Sequence, residues 1–245
     1  MQKTKIAIAG GLGRMGQKTL VEILEDDGAV LSGVLVRKGS FALGTPVLFP
    51  DTQVGTGQNY SDDREGVFRD SDVVIDFTTA DASVENAKAA AKTETPLVIG
   101  ATGFSDAQLK EINASAKAAP ILLSYNMSFA ITALGHALQG LSGDLGDAFH
   151  VEITDIHHKD KKDAPSGTAL MLGEAIGRPQ GAIKYTSHRK GHEIGEHRIL
   201  FSGPGEEIEV IHRARDRRLF ARGAVLAAHW LKGKKPGLYT LKDIL

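Results

Sequence analysis

The chain has 245 residues, 42% of them hydrophobic, enough for one large domain or two modest ones around a sizeable core. Its 29 basic and 30 acidic side chains give a formal charge of −1, which supplies no general field for a phosphate backbone and argues against nucleic acid as the main partner. Cysteine is absent, so disulfides, thiolate ligands and thiol nucleophiles are excluded, and a reducing compartment fits, with the cytoplasm the simplest address.

The opening residues, MQKTKIAIAGGLGRMG, carry a short apolar run that glycines and Arg14 interrupt too soon for a signal-peptide core. No stretch reaches the length that spans a membrane, so no membrane partner is expected. Short β-rich runs then alternate with helical patterns. KIAIAG (5–10), AVLSGVLVR (29–37), SDVVIDFTT (71–79), TPLVIGATG (95–103) and APILLSYN (119–126) read as strands, several apolar on both faces. Between them Leu12, Met15, Thr19, Leu20, Ile23 and Leu24 follow a helical stripe, as do Val84, Ala87, Ala90 and Ala91, and Leu109, Ile112 and Ala116. The alternation predicts a parallel sheet with right-handed crossovers. Residues 39–69, rich in Gly, Asp, Pro and Thr, read as an irregular excursion with one edge strand at most.

Beyond Asn126 the pattern changes. AITALGHALQGL reads as a helix, FHVEITDIHH as a strand, the stretch from Ser166 as a helix, and EHRILFSGPGEEIEVIHRA as two strands around a turn. Successive strands imply a mixed or antiparallel sheet and a second domain. The last segment resumes helical spacing through Val225, Ala228 or His229, and Leu231, with Gly233 as its stop, and is expected to return to the first domain. The expected boundaries are 1–126 with 213–245 for the first domain and 127–212 for the second.

GGLGRMG (10–16) follows a strand and opens a helix, the setting of a dinucleotide-binding turn. Gly10 allows the tight turn, Gly13 keeps side chains off a diphosphate, and Gly16 lets helix and sheet approach, while helix-start amides face the anion. At the tip of the second strand Val36 cannot accept a ribose hydroxyl, whereas Arg37 and Lys38 suit a 2′-phosphate, so NADPH is preferred and NADH remains possible. DFTT (76–79) and GATG (100–103) end apolar strands, where parallel sheets bind ligands. Their backbone is a candidate for nicotinamide and ribose, with Asp76 and Thr78 as helix caps the alternative.

Residues 157–169, HHKDKKDAPSGTA, gather an acid/base group, cationic charge and a helix start. Ser166 is the expected N-cap, with amides beyond it suited to a carboxylate. In an extended chain residues 159 and 161 share one face, which makes Lys161 the lysine expected to share a pocket with His157. Adjacent histidines on a strand point oppositely and the lysines repel a cation, so acid/base chemistry is favoured and no metal is expected. Those lysines disfavour imidazolium at His157, and a bound dianion restores it.

Together GGLGRMG, DFTT, GATGF, NMS at 126, HHKDKKDAPSGTA, GEH at 195 and FARGAV at 220 make the chain resemble the 4-hydroxy-tetrahydrodipicolinate (dihydrodipicolinate) reductase family over most of its length. The resemblance implies an α/β protein, a Rossmann-like dinucleotide-binding domain with a smaller α+β domain built on a mixed sheet that mediates tetramer formation. It implies NAD(P)H-dependent reduction of a small cyclic dicarboxylate in diaminopimelate and lysine biosynthesis. His157 is then the proton donor and Lys161 the second catalytic residue, while His158, Ser166, Gly167 and Thr168 hold a substrate carboxylate. Gly10, Gly13, Arg14, Met15, Arg37, Lys38, Phe77, Thr78, Gly100, Thr102, Asn126, Met127 and Arg217 fall to the cofactor. The chain departs from the family in having Val36 where Glu is frequent, AIT with Phe129 before it in place of GVN, and a short connection between GEAIG and RKGHEIGEH. That connection normally contributes a glycine-rich loop to the subunit interface, which weakens the tetramer inference. The alternatives are a non-catalytic NADP(H)-responsive sensor and a related amino-acid dehydrogenase.

Overall fold

Ile6, Ala7, Ile8 and Ala9 are wholly buried, as a central strand of a parallel sheet covered on both faces requires. The computed structural model describes residues 2–50, 52–179 and 181–245. In chain order the elements are β1 (Thr4–Ala9), α1 (Arg14–Glu25), β2 (Ala29–Leu35), β3 (Pro46–Leu48), β4 (Gly55–Ser61), α2 (Arg64–Arg69) and β5 (Val73–Asp76). There follow α3 (Ala80–Thr93), β6 (Leu97–Ile99), α4 (Asp106–Ser115), β7 (Pro120–Leu123), α5 (Phe129–Leu145), β8 (His150–His157) and α6 (Gly167–Ile176). The chain ends with β9 (Ile183–Arg189), β10 (Gly195–Gly203), β11 (Glu206–Ala214), α7 (Arg218–Leu231) and β12 (Gly237–Tyr239).

One unit comprises the residues up to Met127 together with Arg218–Leu245, and the other is Ser128–Arg217. The second crossing thus falls at 217/218 rather than 212/213, because β11 continues its pairing with β10 through Ala214. In the first unit the eight-stranded sheet runs β12-β7-β6-β5-β1-β2-β4-β3. β1 pairs in parallel with β2 on one side and β5 on the other, so strand order reverses at β1. Such a switch point opens a crevice at the carboxyl ends of the strands. One face packs Ile6, Ile8, Ile75 and Leu122 against Leu20 and Ile23 of α1 and Ala224, Ala227, Ala228 and Leu231 of α7. The other packs Ala7, Val74, Leu97 and Ile121 against Ala87 and Ala90 of α3 and Ile112 of α4. Arg218 Nε donates to the buried Glu22 carboxylate at 2.6 Å, pinning α7 to α1.

Residues 39–69 hold more structure than expected: β3 and β4 pair antiparallel, β4 extends the sheet beside β2, and α2 follows with Asp63 as its cap. Their pairing is local and short, which a composition of turn-formers conceals. Asp51 in this stretch and Gln180 in the shortened connection lie outside the described residues. Near the end, beyond the expected helix stop at Gly233, Gly237–Tyr239 forms β12 against β7, a strand the sequence reading did not assign. Leu12 precedes the first helix and is 41% exposed, so it is not part of the buried stripe.

The second unit has a four-stranded mixed sheet, β11-β10-β8-β9, with β10 antiparallel to both neighbours and β9 parallel to β8. Pro204 and Gly205, the latter at φ 83°, close the β10–β11 hairpin. α5 and α6 cover one sheet face, burying Ile131, Leu138, Ala169 and Leu172 against Val151, Ile153, Ile199 and Phe201. The short connection after α6 is anchored by Arg178, whose guanidinium donates to Ser142 Oγ at 3.0 Å and to Asp147 at 3.1 Å.

The glycine turn divides its labour differently from expectation. A Cβ on Gly16 would lie 2.2 Å from Gly10 O, and one on Gly11 would lie 2.1 Å from Val34 Cγ1 of β2. Gly16 therefore lets the helix close on its own turn, and Gly11 provides the close approach to the sheet. Gly16→Ala should cost about 1–3 kcal/mol in urea unfolding, as overpacking against fixed backbone does. Gly13→Ala, whose nearest neighbour is Gly10 O at 3.2 Å, should retain stability and show its defect in nucleotide titration.

Candidate active site

In the first unit the carboxyl ends of β1, β2 and β5 converge on the glycine turn. Gly10, at φ 86°, donates its amide to Leu35 O, and a side chain there would press on Phe77 O at 3.1 Å. Gly13 caps α1 with no side-chain hydrogen bond, so the first turn is not closed by its own cap residue. Arg14 is exposed and Met15 half-buried at this helix start. Arg37 and Lys38 are exposed just past β2, beside a buried Val36. Uncapped amides with cationic side chains at the next strand tip fit the diphosphate and ribose end of a pyridine nucleotide.

At the end of β5 the buried Asp76 carboxylate accepts from Thr78 N at 2.8 Å, Thr78 Oγ1 at 2.6 Å and Asn86 Nδ2 at 3.0 Å. Burial raises its pKa, and those bonds only partly oppose the rise. Thr79, not Asp76 or Thr78, caps α3. The Phe77 ring lies over Gly100, where a Cβ would come within 2.2 Å of it. Thr102 is exposed in the loop beyond β6. Ser124 Oγ donates to Asn126 O, and the Met127 side chain is buried in the core, leaving only its backbone for a ligand. Arg217 belongs to the second unit.

In the second unit one sheet face changes character along its strands. Where the helices stop covering it, the apolar rows give way to Ser187, Asp155, His197 and His212, which lie opposite one another across β9, β8, β10 and β11. Asp155, 1% exposed, accepts from His157 Nδ1 at 2.9 Å, Arg189 Nη1 at 2.8 Å, Ser166 N at 3.3 Å and Ser187 Oγ. Burial alone would raise its pKa, but these donors outweigh burial and hold it below the ordinary value. An ionised carboxylate only accepts, so Nδ1 of His157 carries a proton and Nε2 is the position that gains or loses one. Nε2 sits over Gly195, where a Cβ would approach within 3.1 Å.

His157 is 7% exposed, and burial lowers its pKa; Asp155 opposes that, while Lys161 and Arg189 reinforce it. Lys161 reaches this neighbourhood by a turn, its amide donating to His158 O, rather than by strand alternation, since β8 ends at His157. Its Nζ pairs with Asp163 at 2.9 Å. Ser166 caps α6, accepting from Ala169 N, and its Oγ lies 3.3 Å from His197 Nε2. Gly167 and Thr168 form the first turn of α6, and His158 is half-buried. Among the described residues no group of His, Cys, Asp or Glu is arranged to hold a metal ion, and no helix is long and apolar enough to cross a membrane.

Sequence reading missed Asp155, Ser187, Arg189, His197 and His212. Asp155 was legible as the i−2 neighbour of His157 on one strand face. The rest depend on the pairing of β8 with β9 and β10.

Family models described as dihydrodipicolinate reductase N-terminus and C-terminus match residues 4–127 and 130–245. A 4-hydroxy-tetrahydrodipicolinate reductase from Beijerinckia indica is 40% identical, with 100% of this chain and 98% of the relative covered. The chain belongs to the dihydrodipicolinate reductase family. Another reductase of that description, from Anaeromyxobacter dehalogenans, is 40% identical over 99% of this chain and 97% of its own. A dipicolinate-bound dihydrodipicolinate reductase from Paenisporosarcina sp. TG-14 shares the fold, with a TM-score of 0.82 at 24% identity and 100% of both chains covered. As a member of the dihydrodipicolinate reductase family the chain is an oxidoreductase of lysine and diaminopimelate biosynthesis, with a Rossmann-like domain for a pyridine nucleotide.

The histidine row gives this reductase an acid sensitivity. Burial, with the neighbouring histidines, lowers the His197 pKa to about 4, and burial also lowers that of His212. Between the unfolded value near 6.5 and the folded one, the unfolded chain binds the additional proton. Stability therefore falls as pH drops through that window. The urea midpoint should decline from pH 7 to pH 4, and His197→Gln should flatten the slope.

Proposed function

We propose that the chain reduces 4-hydroxy-tetrahydrodipicolinate, by way of dihydrodipicolinate, to tetrahydrodipicolinate, with NADPH preferred over NADH. Loss of water from the hydroxylated substrate gives the unsaturated cyclic imine; one hydride and one proton then complete the reduction. The Gly10–Gly13 turn, Arg14 and Met15 would hold a reduced pyridine nucleotide, which would supply the hydride when bound. Arg37 and Lys38, with no acidic residue at Val36, favour the 2′-phosphate form.

His157 supplies the proton from Nε2. The observation that carries this reading is the buried Asp155–His157 pair, which fixes the ring's tautomer through a 2.9 Å bond and leaves the outer nitrogen for chemistry. Substrate carboxylates dock on Lys161, His158 and the α6 start at Ser166, Gly167 and Thr168. Their negative charge raises the depressed pKa of His157, so the donor is charged when the substrate is in place. Lys161 stabilises charge developing on the ring nitrogen or its carboxylate. A sensor without turnover has no use for a proton donor oriented in this way.

Adding fresh product of dihydrodipicolinate synthase should consume NADPH absorbance faster than NADH absorbance at equal cofactor concentration; no consumption of either rejects the reading. His157→Gln should lower kcat by roughly 10²–10⁴ with little change in KM, and equal loss in both would make His157 a binding group. Asp155→Asn removes the carboxylate that supports imidazolium, so the limb of the kcat profile that falls with rising pH should move to lower pH. An unmoved limb would reduce Asp155 to a packing role.

A further inference from the structure

Lys161 and the start of α6 are the groups assigned above to a substrate carboxylate, and a carboxylate of the chain itself already lies against them. Asp163 Oδ1 is 2.9 Å from Lys161 Nζ. Lys161 does most to hold its pKa below the ordinary value, against a partial opposition from burial, and the backbone amides of Asp163 itself and of Gly167 add smaller contributions. The two ends of the pair are unequal. The Lys161 side chain is 24% exposed and that of Asp163 54%, so the cation is the seated partner and the carboxylate the one that can leave to water.

The main chain does not have to move for that exchange. Arg189, whose Nη1 is bound to Asp155, donates from Nη2 to the Asp163 backbone carbonyl. Rotation of the Asp163 side chain thus frees Lys161 while the loop stays tied to the buried hub, and a half-exposed pair of this kind holds only weakly.

We propose that Asp163 is an internal placeholder for a substrate carboxylate, a counter-ion that keeps Lys161 seated and must be displaced when a dicarboxylate binds. This rests on the reductase reading for the identity of the displacing group. It makes Asp163 a specificity-determining residue: a ligand has to displace a carboxylate that is always at hand, which a rigid dianion does more readily than a single weak anion. Asp163 therefore weakens ground-state binding, and its removal should tighten it.

Calorimetric titration of the full-length protein with dipicolinate tests this, using Asp163→Asn beside Asp160→Asn as a control for loss of one exposed negative charge nearby. Asp163→Asn should bind about two- to fivefold more tightly than the parent, with a smaller change in Asp160→Asn. Unchanged or weaker binding in Asp163→Asn, or an equal gain in both variants, overturns the proposal. The contact itself is read without any ligand from the Gly167 amide of ¹⁵N-glycine-labelled protein. Its shift should follow a carboxylate titrating below the ordinary range, and that titration should vanish in Asp163→Asn; persistence in the variant also overturns the proposal. If dipicolinate binds none of the proteins while the amide titrates as described, the substrate assignment is what fails and the placeholder contact stands.

Discussion

The buried carboxylate of Asp155 is the constraint on which the polar end of the second unit depends. It draws donors from its own strand, from β9 through Ser187 and Arg189, and from the amide that begins α6. A charge so far from water is tolerable only when each lone pair is occupied, and breaking such a set from one side costs on the order of 3–5 kcal/mol. That is a large share of the stability of a domain this size. The same bonds fix three things at once: the tautomer of His157, the position of the Ser166 cap, and the path of the loop that carries Lys161.

The histidine row is a consequence of that arrangement. His197 lies opposite Asp155 on the neighbouring strand and reaches Ser166 Oγ, and the His157 and His197 rings meet edge to face at 5.2 Å. Desolvation lowers the pKa of all three histidines, most clearly His197, and among them His157 is the one whose ring nitrogen bonds the Asp155 carboxylate, which opposes the fall. The first unit builds its strand-to-helix turn with backbone rather than with a hub of charged side chains. Gly10, Gly11, Gly13 and Gly16 let strand, turn and helix start crowd together, with the positive end of the α1 dipole at that turn.

Much of this was legible in the residues because the signals are local. Continuous apolar strands, a glycine turn between strand and helix, and a serine after a proline each declare their conformation within a few positions. So do the identities of His157, Lys161 and Ser166 as a chemical group. β9 was hidden because Ile183–Arg189 alternates weakly, and β12 because three residues carry no period. The 39–69 segment was underestimated because its strands are defined by pairing partners rather than by composition.

The sequence by itself determined the two kinds of sheet, the glycine turn between strand and helix and the presence of a histidine and lysines beside a helix start, since each follows from spacing along one stretch of chain. Only the tertiary structure decided that Asp155 orients His157, that Arg189 and Ser187 hold Asp155, and that His197 and His212 complete the row. Those groups are far apart along the chain, Asp155 on β8 and His212 on β11 being brought into one row through β10, and register between strands is a property of how the sheet assembles. The glycines show the same division: their permissive backbone is written in the residue type, but which neighbour each must avoid appears only when β2 and α1 close on the turn.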